Sequence, residues 1–158
     1  MKVFYRGAAG AIRGRRGSMG AKGEVDLMRK RARAFLEAAE FSIQRGNYDL
    51  AAFNAEQASQ LYLKSVLLEF VGDYPRTHSA IALLKELERI DPTVGEFLAK
   101  EKRGLHNLED SYLMSRYFYK LFDREDGDYL VSLAKEVMTL CERIRERMGK
   151  GEVAEGLG

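Results

Sequence analysis

The sequence predicts an all-α protein, an up-and-down bundle of five or six helices, and three features carry that expectation. Long stretches rich in Ala, Leu, Glu, Lys and Arg lose little side-chain entropy on entering a helix. Strand signals are poor, because Val and Thr are few and no Asn-Gly or Asp-Gly hairpin sits between alternating residues. Apolar residues instead recur at three- and four-residue steps, the repeat of one helix face. With 158 residues, 46% of them apolar, the chain can bury one continuous core, so a single domain is expected.

The elements follow in order. A first helix over 24–45 places Met28, Phe35, Ala39 and Ser42 or Ile43 on one face, and Gly46 can take the left-handed conformation that ends it. Asp49 is read as the N-cap of a second helix running to Val71, which Gly72 stops. The short turn between the two makes them an antiparallel hairpin. The second helix is apolar on two faces, Ala51, Ala55, Ala58, Tyr62 and Val66 on one, and Leu50, Phe53, Gln57, Leu61, Lys64, Leu68 and Val71 on the other. Such a helix is central to its bundle or pressed against a second subunit. Gln57 and Lys64 stand among the apolar residues of that second face.

A third helix is expected over 79–90. Asp91-Pro92 then reads as an N-cap with Pro at the first helical position, starting a short helix to about 102. Gly104 reads as a break. A fourth long helix over 105–122 aligns Leu105, Leu108, Tyr112, Ser115, Tyr119 and Phe122. The DREDGD stretch at 123–128 reads as a turn whose acids suit the dipole of a last helix. That helix, over 129–148, aligns Leu130, Leu133, Val137, Cys141 and Ile144 before Gly149 ends it. The expected organisation is a flexible basic arm at 1–23, a helical bundle at 24–148 and a frayed tail at 149–158. The arm holds six basic residues and no acid, so the formal charge of +2 leaves −4 for the rest.

Several chemistries find no support. His78 and His106 stand far apart, and the acidic run lacks the ligand alternation of a calcium loop, so no metal is expected. Cys141 lies in a core stripe, which suits a small buried hydrophobe rather than a nucleophile. No phosphate loop or dinucleotide fingerprint is present, so no cofactor is expected. No apolar run approaches the roughly 20 residues a bilayer needs, and no charged and apolar leader pattern opens the chain; the expectation is a cytoplasmic protein without a membrane partner.

Two places can carry chemistry. Arg116-Tyr117, inside SYLMSRYFYKLF, sits among Tyr112, Phe118, Tyr119 and Phe122, where a ring can stack a base while the guanidinium engages phosphate. The plain alternative is an aromatic core with Arg116 paired to a carboxylate. His78, beside Arg76 and Thr77 at a helix start, is either a proton-transfer group or a capping-region side chain.

Taken together, NYDLAAFNAEQASQLYLKSVLLEFVG, THSAIALL and LEDSYLMSRY resemble the HEPN domain family over roughly residues 24–148. The matching pattern is Tyr48, Ala52, Glu56-Gln57-Ala58, Leu61 and Lys64, then the helix start at His78, then Ser115-Arg116-Tyr117. The resemblance implies a bundle of the nucleotidyltransferase substrate-binding-subunit type, commonly dimeric, with nucleotide or RNA binding near the subunit interface. It also implies a minimal nucleotidyltransferase partner in a toxin–antitoxin-like pair. HEPN ribonucleases carry an Arg followed by four to six residues and a His; after Arg116 those positions hold Leu121, Phe122 and Asp123. The motif is absent, no catalytic residue is assigned, and Arg116-Tyr117 is like the non-nuclease branch, although Phe118 stands where Pro often follows. Lys64, His78, Arg116 and Tyr117 are the candidate ligand residues, and Gln57 is read as a structural polar group bridging backbone or Tyr groups. An endoribonuclease using Arg116 with His78 or His106, and a purely protein-binding scaffold, remain as alternatives.

Overall fold

The computed structural model describes the backbone of residues 20–117 and 121–157 and the side chains of residues 20–114 and 121–149. The basic arm expected at 1–23 lies outside them except for its last four residues. The described residues form six helices and no strand: α1 (Ala21–Gln44), α2 (Tyr48–Phe70), α3 (Ala80–Glu88), α4 (Thr93–Lys100), α5 (Lys102–Tyr117) and α6 (Arg124–Leu157).

The α1–α2 hairpin is set by Gly46. At φ 76° it takes the left-handed conformation. Its N–H donates to Ile43 O at 3.1 Å and the Asn47 N–H to Ser42 O at 2.9 Å, the double closure that satisfies the last carbonyls of a helix. Asn47, not Asp49, holds the N-cap position of α2, and Asp49 lies in the first turn, where its charge complements the helix dipole. Gly72, at φ 88°, closes the other end of α2 on Leu67 O and Leu68 O.

Long-range contacts fix the directions. Arg29, near the start of α1, donates to Glu69, near the end of α2, so the hairpin is antiparallel. Ser111 Oγ of α5 reaches Ala52 O at 3.3 Å, and α5 runs against α2. Arg145 Nε of α6 meets the same Glu69 at 3.3 Å, while Gly127 lies against Ile43 and Tyr48, so α6 runs alongside α2. This is an up-and-down bundle, with α3 and α4 inserted between its second and third long helices.

The core gathers around α2. Ala51, Ala52, Ala55 and Ala58 are fully buried and let neighbouring backbones come close, and Tyr62, Leu63, Val66 and Leu67 fill the space further along. Each large side chain so buried contributes about 1.5–3 kcal/mol. From α6, Leu133, Val137, Cys141 and Ile144 close the core as the spacing predicts. Leu50 and Val71, assigned to the second apolar face, lie at the two ends of α2 and are about half exposed.

Three breaks read from the sequence are absent from the structure. Gly104 does not break a helix but sits inside α5, where a Cβ would collide with the Tyr129 hydroxyl and press on Leu133. Its role is close approach. The acidic stretch is not a turn before α6 but its first turn: Asp126 N–H donates to Asp123 Oδ1 at 2.8 Å and Asp123 N–H to Asp126 Oδ2 at 3.0 Å, a reciprocal cap. At the other end α6 continues through Gly149 to Leu157, so the backbone expected to fray is helical. A glycine ends a helix through a positive φ, and among the described glycines only Gly46 and Gly72, at helix ends, and Gly20, before α1, have one.

α3 and α4 are shorter than expected, and Ser79, read only as the first residue of its helix, is the N-cap of α3. Ser79 Oγ accepts from Ala82 N–H at 3.0 Å, and the Asp91 carboxylate accepts from Thr93 N–H at 3.0 Å and from Arg147 of α6. Burial works against that carboxylate, but Thr93 and Arg147 outweigh it and hold Asp91 below the usual carboxylate range.

These glycines make opposite predictions. Gly46→Ala must place a Cβ in the left-handed region and is expected to cost about 1 kcal/mol. Gly149→Ala, in a helix with open space around it, is expected to stabilise by about 0.5–1 kcal/mol. Urea denaturation of the two variants checks both signs.

Candidate functional site

The site grows out of a shortage of surface on α2. Besides the small-residue face, Asn54, Glu56, Ser59, Gln60, Leu63, Ser65 and Leu67 are buried, so little of the helix meets water. Glu56 is the extreme case, a carboxylate at 0% exposure. An enclosed carboxylate must find donors inside the protein. Gln57 Nε2 donates to Glu56 Oε2 at 2.8 Å, and Gln60 Nε2 donates to Glu56 Oε1. The group sought for Gln57 is therefore a buried acid, not backbone or Tyr. Gln60 Nε2 also donates to His78 O at 3.1 Å, and its Oε1 accepts from Lys64 Nζ at 3.4 Å. Burial pushes the Glu56 carboxyl up from 4.5 to about 7; the two amide hydrogen bonds and Lys64 pull it back, and Glu109 adds to the rise.

Beside this chain of amides stands a pair of cations. Lys64 Nζ lies 5.8 Å and Arg76 Cζ 4.8 Å from the centroid of the Tyr74 ring. The ring offers both a negative face. Burial lowers the Lys64 ammonium from its ordinary value, and Arg76 lowers it further, against the opposing pull of Glu56. Arg76 Nη1 donates to Tyr74 Oη at 3.2 Å. Its Nε and Nη2 are buried and have no hydrogen-bond partner among the described residues. Buried guanidinium N–H groups without acceptors are costly, and they mark a place where an acceptor would be held.

The connection that carries these residues is fastened at its end. Ser79 caps α3, and Glu109 of α5 accepts from Ile81 N–H at 2.8 Å and from the Ser79 hydroxyl. Glu109 thus occupies the start of α3, and the positive charge of the seam lies on Lys64 and Arg76. The His78 ring stacks on Tyr112 of α5 with centroids 4.7 Å apart and planes 16° apart, and Tyr112 in turn stacks on Phe53 at 6.0 Å.

Of the residues assigned from sequence, the fold joins Lys64 and His78 through Gln60, with Gln57 on the other side of Glu56. Arg116 and Tyr117 have their backbone in the last turn of α5, but their side chains, like those of Ser115, Phe118 and Tyr119, lie outside the described residues. Sequence reasoning missed Glu56 and Gln60 as buried polar groups and passed over Arg76 and Tyr74. The signal was available: Glu56, Gln60 and Leu63 repeat at helical steps on a helix already apolar on two sides. His106 is exposed on α5, and Cys141 is fully buried, its thiol pushed up by burial. Among the described residues no group of three or more His, Cys, Asp and Glu could hold a metal ion, and no helix is long and apolar enough to cross a membrane. A groove of about 600 Å³ between α4 and α6 shares no residue with this seam, and its Lys135 and Arg147 are already paired with Glu40 and Asp91.

A small up-and-down bundle with a polar seam along its central helix defines the class of protein. The family model for the HEPN domain matches residues 25–144. The chain belongs to the HEPN domain family. Among solved structures it is similar to TT1696 from Thermus thermophilus, at 26% identity and a TM-score of 0.66, over 76% of this chain and 97% of that one. It has the fold of ST0689, an archaeal HEPN homologue, at 23% identity and a TM-score of 0.60, with the same coverage. No curated protein sequence matches the chain.

The Glu56 carboxyl gives a pH prediction. Its folded pKa lies above the unfolded value, so its contribution to stability is intact below about pH 4 and is lost as pH rises through about 7. Glu56→Gln is therefore expected to change stability little near pH 5 and to stabilise by roughly 1–3 kcal/mol near pH 8. Thermal melts across that range check it; equal shifts at both ends would show that the carboxyl is protonated to the same extent in the folded and unfolded chain, so that burial does not raise it.

Proposed function

We propose that this HEPN-domain protein is a binding module that holds a phosphate group of a nucleotide or RNA between Lys64 and Arg76. The observation that carries the reading is the pair of buried Arg76 N–H groups without an acceptor among the described residues, set beside a second cation. A phosphate oxygen supplies the missing acceptor, relieves the repulsion between the two cations and matches the fork of the guanidinium. The stacked rings of Phe53 on α2, His78 in the connection and Tyr112 on α5 offer a plane against which a base can lie. Arg116 and Tyr117, which end the same helix, extend the site in this reading. Self-association and pairing with a minimal nucleotidyltransferase in a toxin–antitoxin-like system belong to the same proposal, supported by family membership. Binding is favoured over RNA cleavage because the Arg-to-His spacing of the HEPN ribonucleases is missing after Arg116.

Fluorescence anisotropy with a short single-stranded RNA and with adenine nucleotides tests the site. Lys64→Met and Arg76→Met are each expected to weaken binding by about tenfold or more and to leave the melting temperature unchanged or higher, since each removes one of two repelling charges. Unchanged affinity in both variants rules the site out. RNA incubated with the protein in EDTA should remain intact; cleavage that Arg116→Ala abolishes would establish the endoribonuclease instead.

A further inference from the structure

Glu56, Gln60 and Lys64 follow one another at i, i+4 steps on α2, so a sealed carboxylate and a ligand-facing ammonium share one amide. With Glu56 ionised, every atom of the Gln60 amide is used: Nε2 donates to Glu56 and to His78 O, and Oε1 accepts from Lys64. Both donors to the carboxylate are neutral amides. The charged groups that act on it are Lys64 on its own helix and Glu109 on α5, while Arg76 and His78 of the connection stand one step further away, through Lys64 and Gln60. Lys64 is thus the cation that sustains the negative charge of Glu56, and Glu109 opposes it.

We propose that binding of an anion between Lys64 and Arg76 is coupled to uptake of one proton by Glu56, so that the site holds its ligand more tightly as pH falls through neutrality. This rests on the reading of Lys64 and Arg76 as an anion site. An anion at that place takes over the charge of Lys64 and adds a second negative group near Glu56, so the carboxylate gains affinity for a proton. The proton passes from solvent to Glu56 Oε2, the oxygen that faces Gln57. Gln57 is half-buried and can turn its amide so that its Oε1 accepts the new O–H, whereas Gln60 is held by three partners. Reciprocity completes the coupling: a ligand that raises proton affinity is itself bound more strongly by the protonated protein. Glu56 touches no ligand; it acts through Gln60 and Lys64.

Sulfate is the suitable probe, because its charge does not change near neutral pH. Calorimetric titration of the full chain at about pH 7, in buffers of low and high ionisation enthalpy, should give binding heats that differ by the uptake of a substantial fraction of a proton. Affinity should fall several-fold between about pH 6 and about pH 8. In Glu56→Gln both effects should vanish while sulfate still binds. Binding with neither buffer nor pH dependence in the unaltered protein overturns the coupling and leaves the anion site standing. A pH dependence that survives Glu56→Gln and disappears in His78→Asn also overturns it. Failure of sulfate to bind at any of these pH values removes the anion site and the coupling with it. Should Glu56→Gln not fold, carbon-13 NMR of the Glu56 carboxyl in the unaltered protein decides: its titration midpoint should move up on adding sulfate, and a fixed midpoint refutes the coupling.

Discussion

The constraint on which the molecule depends is that α2 has almost no side turned to water. α1, α5 and α6 all lie against it, and the alanines along it allow that crowding. A helix enclosed in this way leaves its polar residues no exit to solvent. Glu56 and Gln60 cannot reach water, so they satisfy each other and the backbone of the connection to α3. The polar seam is thus a product of the fold's most crowded helix, and the same crowding makes it rigid.

Rigidity explains how Lys64 and Arg76 stay together. Two cations over one ring repel each other unless the scaffold holds them. Lys64 is fixed on the central helix, and Arg76 lies on a connection that Gly72 starts and the Ser79–Glu109 contact ends. The opposite kind of electrostatics operates at the other seam of α2, where Arg29 is nearly buried but meets Asp26 and Glu69, with Arg145 joining Glu69 from α6. There every charge has an opposite neighbour, and the cluster ties three helices. One cluster is a neutralised network that ties helices together, and the other keeps two cations over one ring without that neutralisation.

Much of the fold was legible because it rests on signals local in the chain. Gly46 and Gly72 mark helix ends through their own backbone, Asp91 through a cap a few residues away, and Cys141 declares its burial by its place among Leu133, Val137 and Ile144. The errors arose where a distant residue decided. Gly104 reads as a breaker until Tyr129 and Leu133, from another helix, are seen to need its missing side chain. Gln57 and Lys64 drew notice because they interrupt a greasy face, and the Gln60 amide bonds both Lys64 and the His78 carbonyl. Glu56 did not announce itself, since a glutamate on a helix is ordinarily solvated, and only the number of helices packed around α2 makes it exceptional. Arg76 was hidden for the same reason: nothing in a loop sequence says that a guanidinium will be covered by its neighbours.

The clamp on the stretch between α2 and α3 bears on how such a site can diversify. With Gly72 closing one helix and Glu109 gripping the start of the next, the span available to residues 73–78 is fixed by two anchors that belong to the bundle itself. Adding or deleting a residue there would draw the guanidinium off the tyrosine ring. The frame thus constrains the length of this loop far more tightly than the chemistry of its side chains.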